Sequence, residues 1–333
     1  MGWRGTLRSI AAAQRRAERE AKRRQRQLER QRKQLDKMRE VEQAAYEVET
    51  YENYVELLQS VHKECSEVWD WEAIGCSEPP EEPRRLLEHE AAARKKLEQF
   101  QPGLVDKVLS RTESKREALL SAVEQAQQAD EEEYQEALRR YNQDCGDWET
   151  ACELAAGIAA GRAQACLDAI KLSDPFSEID ELGSSIEFDA QSISLIQATL
   201  HVNSEEVIPS QEKRLLKSGR LSVREMPKTR FYALYQDYVC SGVLRVAREL
   251  FALLPAHMVL VHATGNLLNT KTGYIEETPI LSVAIPRRTL ELLNLDMLDP
   301  SDSMGNFVHR MAFKKTKGFE AVERLSPSDF ETA

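Results

Sequence analysis

The spacing of apolar residues in the first part of the chain predicts a long amphipathic helix. No glycine or proline occurs between Gly5 and Gly75, and the stretch is rich in strong helix formers. Its apolar residues that recur at intervals of three, four or seven are Leu28, Leu35, Met38, Val41, Ala45, Val48, Val55, Leu58 and Cys65. This spacing is close to the heptad repeat of packed helices. We therefore expect one uninterrupted helix of roughly 100 Å, at 1.5 Å per residue.

Two further helical stretches follow a break at residues 75–83, where two adjacent prolines stop the first helix. A short helix is predicted over 84–100, a kink at 101–103, and a third helical stretch over 104–172. The apolar residues at helical spacing in the third stretch are Leu104, Val108, Leu119, Val123, Ala126, Tyr134, Leu138 and Tyr141. Because an amphipathic helix of this length buries its stripe on another helix, we expect a helical stalk, as an antiparallel coiled coil or a three-helix assembly.

The periodicity changes to that of strands from Ser185 onwards. Short runs rich in Ile, Val and Leu, bounded by turn residues, predict strands at 185–188, 192–202, 221–223, 257–263 and 280–285. One strong helix is predicted over 229–254, and a final helix begins at Asp299, with Asp299 as its N-cap and Pro300 as its first residue. The predicted fold class is α+β, with a long N-terminal helical stalk followed by a compact C-terminal domain that contains a mostly antiparallel sheet.

These patterns divide the chain into five expected parts. They are a basic helical arm (1–40), a helical stalk (41–172), a linker helix (173–184) with Asp174 as its N-cap, an α+β domain (185–325) and a disordered tail (326–333).

Charge is distributed very unevenly between the arm and the rest of the chain. Residues 1–40 contain 14 lysines and arginines and five acidic residues, a net charge of +9, whereas the whole chain has a net charge of −11. The remaining residues therefore have a net charge of −20. Such asymmetry indicates that the basic end meets an anionic partner.

Basic residues also cluster in the C-terminal half. Between Lys213 and Arg230 there are seven basic residues and one acid, Glu225. The residues predicted to bind nucleic acid or another anion are Arg15, Arg16, Arg19, Lys22, Arg23, Arg24, Arg26, Lys213, Arg214, Lys217, Arg220, Arg224, Lys228, Arg230, Arg310, Lys314 and Lys315. They either hold phosphates or form the surface onto which the acidic residues 130–133 of the stalk fold. Both interpretations stay open at this point.

Motifs of catalysis and cofactor binding are absent from the sequence. There is no P-loop, no Gly-x-Gly-x-x-Gly and no Cys-x-x-Cys pair, and the six cysteines are expected to be reduced, structural thiols. Capping explains Asp299 and Asp302 without a metal. His257 and His262, five apart on one predicted strand, point to opposite faces. We predict no catalytic residue, no metal and no cofactor.

The preferred functional hypothesis is a non-enzymatic assembly protein. It self-associates through the stalk as a homo-oligomer, and binds an anionic partner, nucleic acid or an acidic protein, through the arm and the C-terminal basic patches. We do not expect a membrane surface as partner, and we expect a cytoplasmic location because no secretory signal is visible. The alternative is a metal-dependent nuclease with its site in the C-terminal domain, for which Glu205, Glu206 and Glu212 are the candidate acids.

Overall fold

The structure is a computed structural model that describes residues 40–101, 112–176, 185–202, 205–217 and 219–330. It falls into two compact units: in the described ranges, unit 1 comprises 73–153, and unit 2 comprises 40–72 together with 154–330. The predicted mixture of helices and a mostly antiparallel sheet is confirmed. The coiled-coil stalk stays a prediction, and the arm, except for Glu40, lies outside the described residues.

Helices occur along most of the described chain. They are α1 (Glu40–Ser60), α2 (Trp71–Gly75), α3 (Glu88–Glu98), α4 (Thr112–Ala159), α5 (Ala163–Ser173), α6 (Lys228–Leu253), α7 (Arg287–Glu291) and α8 (Pro300–Ser303). The prediction for 229–254 is confirmed by α6, and that for 84–100 by the shorter α3. None of the described helices is both long enough and apolar enough to cross a lipid bilayer.

Unit 1 is built on α4, against which the preceding segment runs antiparallel. The indole N–H of Trp148 donates to the Ser77 hydroxyl at 3.0 Å, and further along, the backbone N–H groups of His89 and Glu90 donate to the Asp130 carboxylate at 3.0 and 2.8 Å. Asp130 is 2% exposed. This carboxylate therefore satisfies two of the first amides of α3 from a neighbouring helix, which is the task of an N-cap side chain.

The main sheet of unit 2 has six strands in the order β1-β2-β5-β6-β7-β8. The strands are β1 (Ser185–Ser192), β2 (Leu195–His201), β5 (Met258–Leu268), β6 (Ile275–Pro286), β7 (Val308–Lys314) and β8 (Gly318–Glu320). Only the β2–β5 pair is parallel among the described strands. A separate hairpin of β3 (Gln211–Leu215) and β4 (Leu221–Glu225) precedes α6. The sequence pattern missed β3 and β7, because their residues are mostly charged or half-exposed, and it missed β8, which is only three residues long.

Helix α6 forms the centre of the core of unit 2. It packs against β5, β2 and β8 of the sheet, and also contacts α1, α8 and the short 3-10 turn at Val61–Lys63. Of its 26 residues, 18 are buried. A helix that is covered on nearly every side carries apolar or internally paired residues all round. This explains the high apolar content that predicted a helix over 229–254.

The expected uninterrupted helix from Gly5 to Gly75 is wrong in its last part. Helix α1 ends at Ser60, residues 64–70 are not helical, and α2 is a separate short helix. We call residues 61–70 the strap. Because its polar groups bond to side chains of α6, the strap loses its intrahelical bonds and gains others, so tertiary contacts override helix propensity here. Residues 41–72, expected in the stalk, consequently belong to unit 2.

The C-terminal tail, expected to be disordered from 326, is ordered through Phe330. Ser326 and Asp329 form a reciprocal capping box around a 3-10 turn, and Phe330 packs against the cluster of Leu260, Ala284 and Leu325. The tail covers apolar residues of the sheet, which explains why a polar-looking segment is held in place. Residues 331–333 lie outside the described part.

Two helix ends differ from expectation. The helical stretch expected over 104–172 is interrupted after Ala159, where α4 ends in a Schellman motif. Arg162 N–H donates to the Gly157 carbonyl there, and Gly161 N–H donates to the Ile158 carbonyl. Gly161 has φ +75°, which glycine adopts without strain. Asp174, expected as an N-cap, instead ends α5 with φ 40°. Most of the predicted linker helix, 177–184, lies outside the described residues.

Candidate anion-binding surface

The β3–β4 hairpin carries most of the basic residues predicted from the sequence in unit 2. Its register pairs Glu212 with Arg224 and Arg214 with Ser222. Side chains along a strand alternate between its two faces, so these two pairs share a face. Arg214 and Arg224 therefore lie on the same face of the hairpin, diagonally across the two strands. The hairpin brings together cations that are ten residues apart in the chain.

Two cations at the base of the hairpin are neutralised within unit 2. Lys213 Nζ lies 3.0 Å from Glu47 Oε2 of α1, and Arg230 at the start of α6 lies 3.0 Å from Glu212 Oε1. These ion pairs attach the hairpin to the helices behind it. Lys213 and Arg230 are thus already engaged in holding the hairpin in place.

The other basic residues of this segment are exposed. Arg214, Lys217, Arg220, Arg224 and Lys228 are all exposed and make no ion pair with any described residue. Leu215, Leu216 and Val223 lie among them with 44%, 43% and 43% of their surface exposed. We call the four cations Arg214, Lys217, Arg220 and Arg224 the hairpin cations. Their positive charges are concentrated on a two-stranded element, and none of the four forms an ion pair with a carboxylate of the described residues, although Glu212 lies opposite Arg224 in the register.

The second predicted cluster is more strongly paired. Arg310 on β7 lies 2.8 Å from Asp329 and 3.6 Å from Glu323, and Lys314 pairs with Glu320 of β8. Lys315 is exposed in the turn that follows. Arg310 and Lys314 therefore hold the tail and β8 in place. The arm residues from Arg15 to Arg26 lie outside the described residues.

The acidic residues 130–133, the alternative partner for the basic patches, have partners inside unit 1. Asp130 accepts the two α3 amides, and Glu131, Glu132 and Glu133 contact Arg85, Gln128 and His89 respectively. These contacts occupy the acidic groups within their own unit.

One group of three side chains in the described residues could supply three metal ligands within 4.8 Å of one another: His89, Asp130 and Glu133. His89 Nε2 lies 3.1 Å from Glu133 Oε1, and the hydrogen bond that Glu133 accepts from His89 raises the pKa of His89. Capping by Asp130 and an exposed ion pair account for all three side chains. Glu205, Glu206 and Glu212, the acids of the nuclease hypothesis, do not belong to this group, and Glu212 is paired with Arg230. That hypothesis stays a prediction without an assembled site.

A cleft of about 460 Å³ lies between α1, the start of α6 and the segment before α8. Tyr51, Lys63, Arg230 and Asp299 are among its lining residues. The Tyr51 hydroxyl is buried and has no hydrogen-bond partner in the part of the chain that the structure describes, and burial raises the pKa of Tyr51. Asp299 caps α8 as predicted, since it accepts from the Asp302 N–H at 3.0 Å.

The sequence analysis missed a row of buried polar side chains on α6. Asp237, Ser241, Arg245 and Glu249 are spaced by four residues and are all at most 8% exposed. We call them the polar ladder. Spacing of four along a helix places them on one face, and this regular polar stripe in an apolar helix was the signal available in the sequence.

The polar ladder holds the strap and the end of α1. Its partners follow in order along the chain: Gln59 Nε2 donates to Asp237 at 2.7 Å, His62 bonds to Ser241 at 2.8 Å, Glu64 lies 3.8 Å from Arg245, and Ser66 N–H donates to Glu249 at 3.0 Å. Arg245 also lies 2.8 Å from Glu249. Burial raises the pKa of Glu249, while Arg245 favours its ionised form. The polar ladder is therefore structural rather than a site for a ligand.

All six cysteines are free thiols. Burial raises the pKa of Cys65 to about 11, which keeps this thiol protonated and unreactive at neutral pH.

The chain was compared with known protein families, curated proteins and solved structures, and no match was found in any of the three comparisons.

Proposed function

We propose that this chain is a non-enzymatic binding protein that attaches to the phosphate backbone of nucleic acid, with the hairpin cations as its contact surface in unit 2. The observation that carries the proposal is that these four exposed cations lack carboxylate partners among the described residues, whereas Lys213 and Arg230 at the base of the same hairpin are paired. Unpaired cations retain their full attraction for an external anion.

The shape of the hairpin supports nucleic acid over an acidic protein. A two-stranded β-ribbon fits the major groove of a duplex, which is about 12 Å wide. Each phosphate that a cation neutralises releases a counterion, so binding falls steeply with salt. With a net charge of −20 outside the arm, attraction must come from local patches rather than from the chain as a whole.

Salt-titrated fluorescence anisotropy of the full-length protein with single- and double-stranded oligonucleotides tests this proposal. We expect the slope of log K against log salt to lose about two units in an Arg214→Gln/Arg224→Gln double variant, at about 0.9 per phosphate contact. The matched control is Lys271→Gln, which removes an exposed cation from the β5–β6 turn and should leave the slope unchanged. Absence of binding by the natural sequence at low salt refutes the proposal.

We also propose that α4 mediates self-association. Residues 119, 123, 126, 134, 137, 141, 145 and 148, at intervals typical of a heptad seam, are all only half-buried. Leu120 beside this seam is 46% exposed. A second copy would cover the remaining apolar surface. Sedimentation equilibrium should show an oligomer that a Val123→Glu variant dissociates, with the exposed Gln128→Glu as control; a monomer at all concentrations contradicts this part.

A further inference from the structure

Four neighbouring strands bring a histidine, two glutamates and a threonine to one end of the main sheet. Glu187 lies on β1, His201 on β2, Thr264 on β5 and Glu277 on β6. Thr264 donates its hydroxyl proton to Glu277 Oε1 at 2.6 Å, and His201 Nδ1 contacts both Glu277 Oε1 and Thr264 Oγ1. These residues are far apart in sequence, and no proposal above involves them.

Glu277 determines which nitrogen of His201 carries the proton. Glu277 Oε1 accepts the hydroxyl proton of Thr264 and contacts His201 Nδ1, and a carboxylate only accepts hydrogen bonds. Nδ1 of His201 is therefore the donor, and Nε2 presents its lone pair in the neutral ring. A carboxylate that orients the far nitrogen of a histidine in this way is the usual outer partner of a metal-binding histidine.

Nε2 of His201 is buried and has no hydrogen-bond partner among the described residues. Glu187 Oε2 lies 3.7 Å from Nε2, slightly beyond hydrogen-bond range. In the neutral ring, Nε2 and this carboxylate oxygen are two acceptors that face each other without a donor between them. A cation between the two atoms, either a metal ion or a proton on Nε2, removes this conflict.

We propose that His201 Nε2 and Glu187 bind a divalent transition-metal ion, with Zn²⁺ as the preferred ion, and that Glu277 is the positioning residue for His201. Zinc bonds to imidazole nitrogen and carboxylate oxygen are about 2.0–2.2 Å long, which places two tetrahedral ligand atoms about 3.4 Å apart. The side chain of Glu187 is 78% exposed and free to close the small difference. An imidazole and a carboxylate together favour zinc over Mg²⁺ or Ca²⁺.

The site is open to solvent on the side of Glu187, so water completes the coordination of the ion. With two ligands from the protein, the site differs from structural zinc sites, which have four. It therefore binds the ion reversibly, and Zn²⁺ ties β1 to β2 at this end of the sheet.

The test is titration of the metal-free full-length protein with Zn²⁺ in competition with a chromophoric chelator. We expect a His201→Gln variant to bind one Zn²⁺ fewer than the natural sequence, and Glu277→Gln to bind that ion about 10–100-fold more weakly. Glu187→Gln should weaken it by about 10-fold or more. The control is His89→Gln, which removes the other histidine that lies among carboxylates and should leave this ion bound.

Side-chain ¹⁵N spectra of the natural sequence give a readout that does not depend on variants folding. Zn²⁺ should shift the Nε2 resonance of His201 while Nδ1 stays protonated. Equal Zn²⁺ stoichiometry in the natural sequence and in a folded His201→Gln variant overturns the proposal. So does a spectrum that shows His201 as an imidazolium at neutral pH, unchanged by Zn²⁺, because the proton would then be the cation between the two carboxylates.

Discussion

Removing the Glu249 carboxylate is the sharpest test of how the polar ladder stabilises unit 2. Glu249 is fully buried, lies 2.8 Å from Arg245, and accepts the Ser66 N–H through both oxygens. Glu249→Ala removes the carboxylate closest in the ladder to the Arg245 guanidinium, which is 9% exposed and also lies 3.8 Å from Glu64. It also leaves an N–H of the strap without its acceptor.

The magnitude follows from the burial of both charges. At 2.8 Å and an effective dielectric constant of about 20, the gross attraction is about 6 kcal/mol, and the desolvation of both ions offsets much of it. Removing one partner of a buried pair costs about 3–5 kcal/mol, because the other charge stays buried. We therefore expect Glu249→Ala to lower the free energy of unfolding by about 3–5 kcal/mol, a large part of the total for a domain.

Urea unfolding measures this change, with tryptophan fluorescence as a probe because Trp69 lies on the strap and Trp71 follows it. The matched control is Glu291→Ala, which breaks an exposed pair with Arg287 at 3.6 Å and should cost less than about 1 kcal/mol. A cost below about 1 kcal/mol for Glu249→Ala would refute the reasoning. Replacing both ladder residues, Arg245→Met with Glu249→Leu, should cost less than Glu249→Ala alone, because no unpaired charge then stays buried on α6.

Three smaller predictions follow from single contacts. Asp130→Ala should cost about 0.5–2 kcal/mol and speed hydrogen exchange of the first α3 amides, because a cap is lost; unchanged exchange contradicts this. Burial lowers the pKa of His262 to about 4, so on acidification His262 is protonated in the unfolded state at a higher pH than in the folded state. The free energy of unfolding therefore falls by about 3 kcal/mol as the pH drops from 6.5 to 4. NMR titration of His262 checks this, and a midpoint near 6.5 rules it out. Gly161→Ala should cost about 1–2 kcal/mol in thermal unfolding, because φ is positive there, whereas Gly146→Ala, inside α4 with open space around it, should not destabilise.

The candidate site was predictable only as a set of charges. The run from Lys213 to Arg230 is visible in the sequence, but the pairing of Lys213 with Glu47 is not, because the two residues are 166 positions apart. Similarly, Arg310 looks like any other exposed cation until the tail brings Asp329 to it. Which cations remain available to a partner depends on contacts between distant segments, and composition carries no information about these.

The group around His201 was invisible to the sequence analysis for a related reason. Its four members come from four strands, and only the order β1-β2-β5-β6 makes them neighbours. Strands were predicted in all four places, since alternation and turn residues are local signals, but the predicted ranges 257–263 and 280–285 ended short of Thr264 and Glu277. Their parallel and antiparallel pairing was not, because it depends on how α6 crosses between β2 and β5.

The sequence by itself determined the elements whose causes are local: the apolar spacing of α6, the stripe of α4, and the cap at Asp299. Only the tertiary structure decided where the first long helix ends and whether the last residues are ordered. The strap does not continue α1 because its backbone and side-chain polar groups bond to the polar ladder. The tail is ordered because it covers apolar residues of the sheet. In both places the free energy comes from burial and pairing between distant segments, which local propensity does not record.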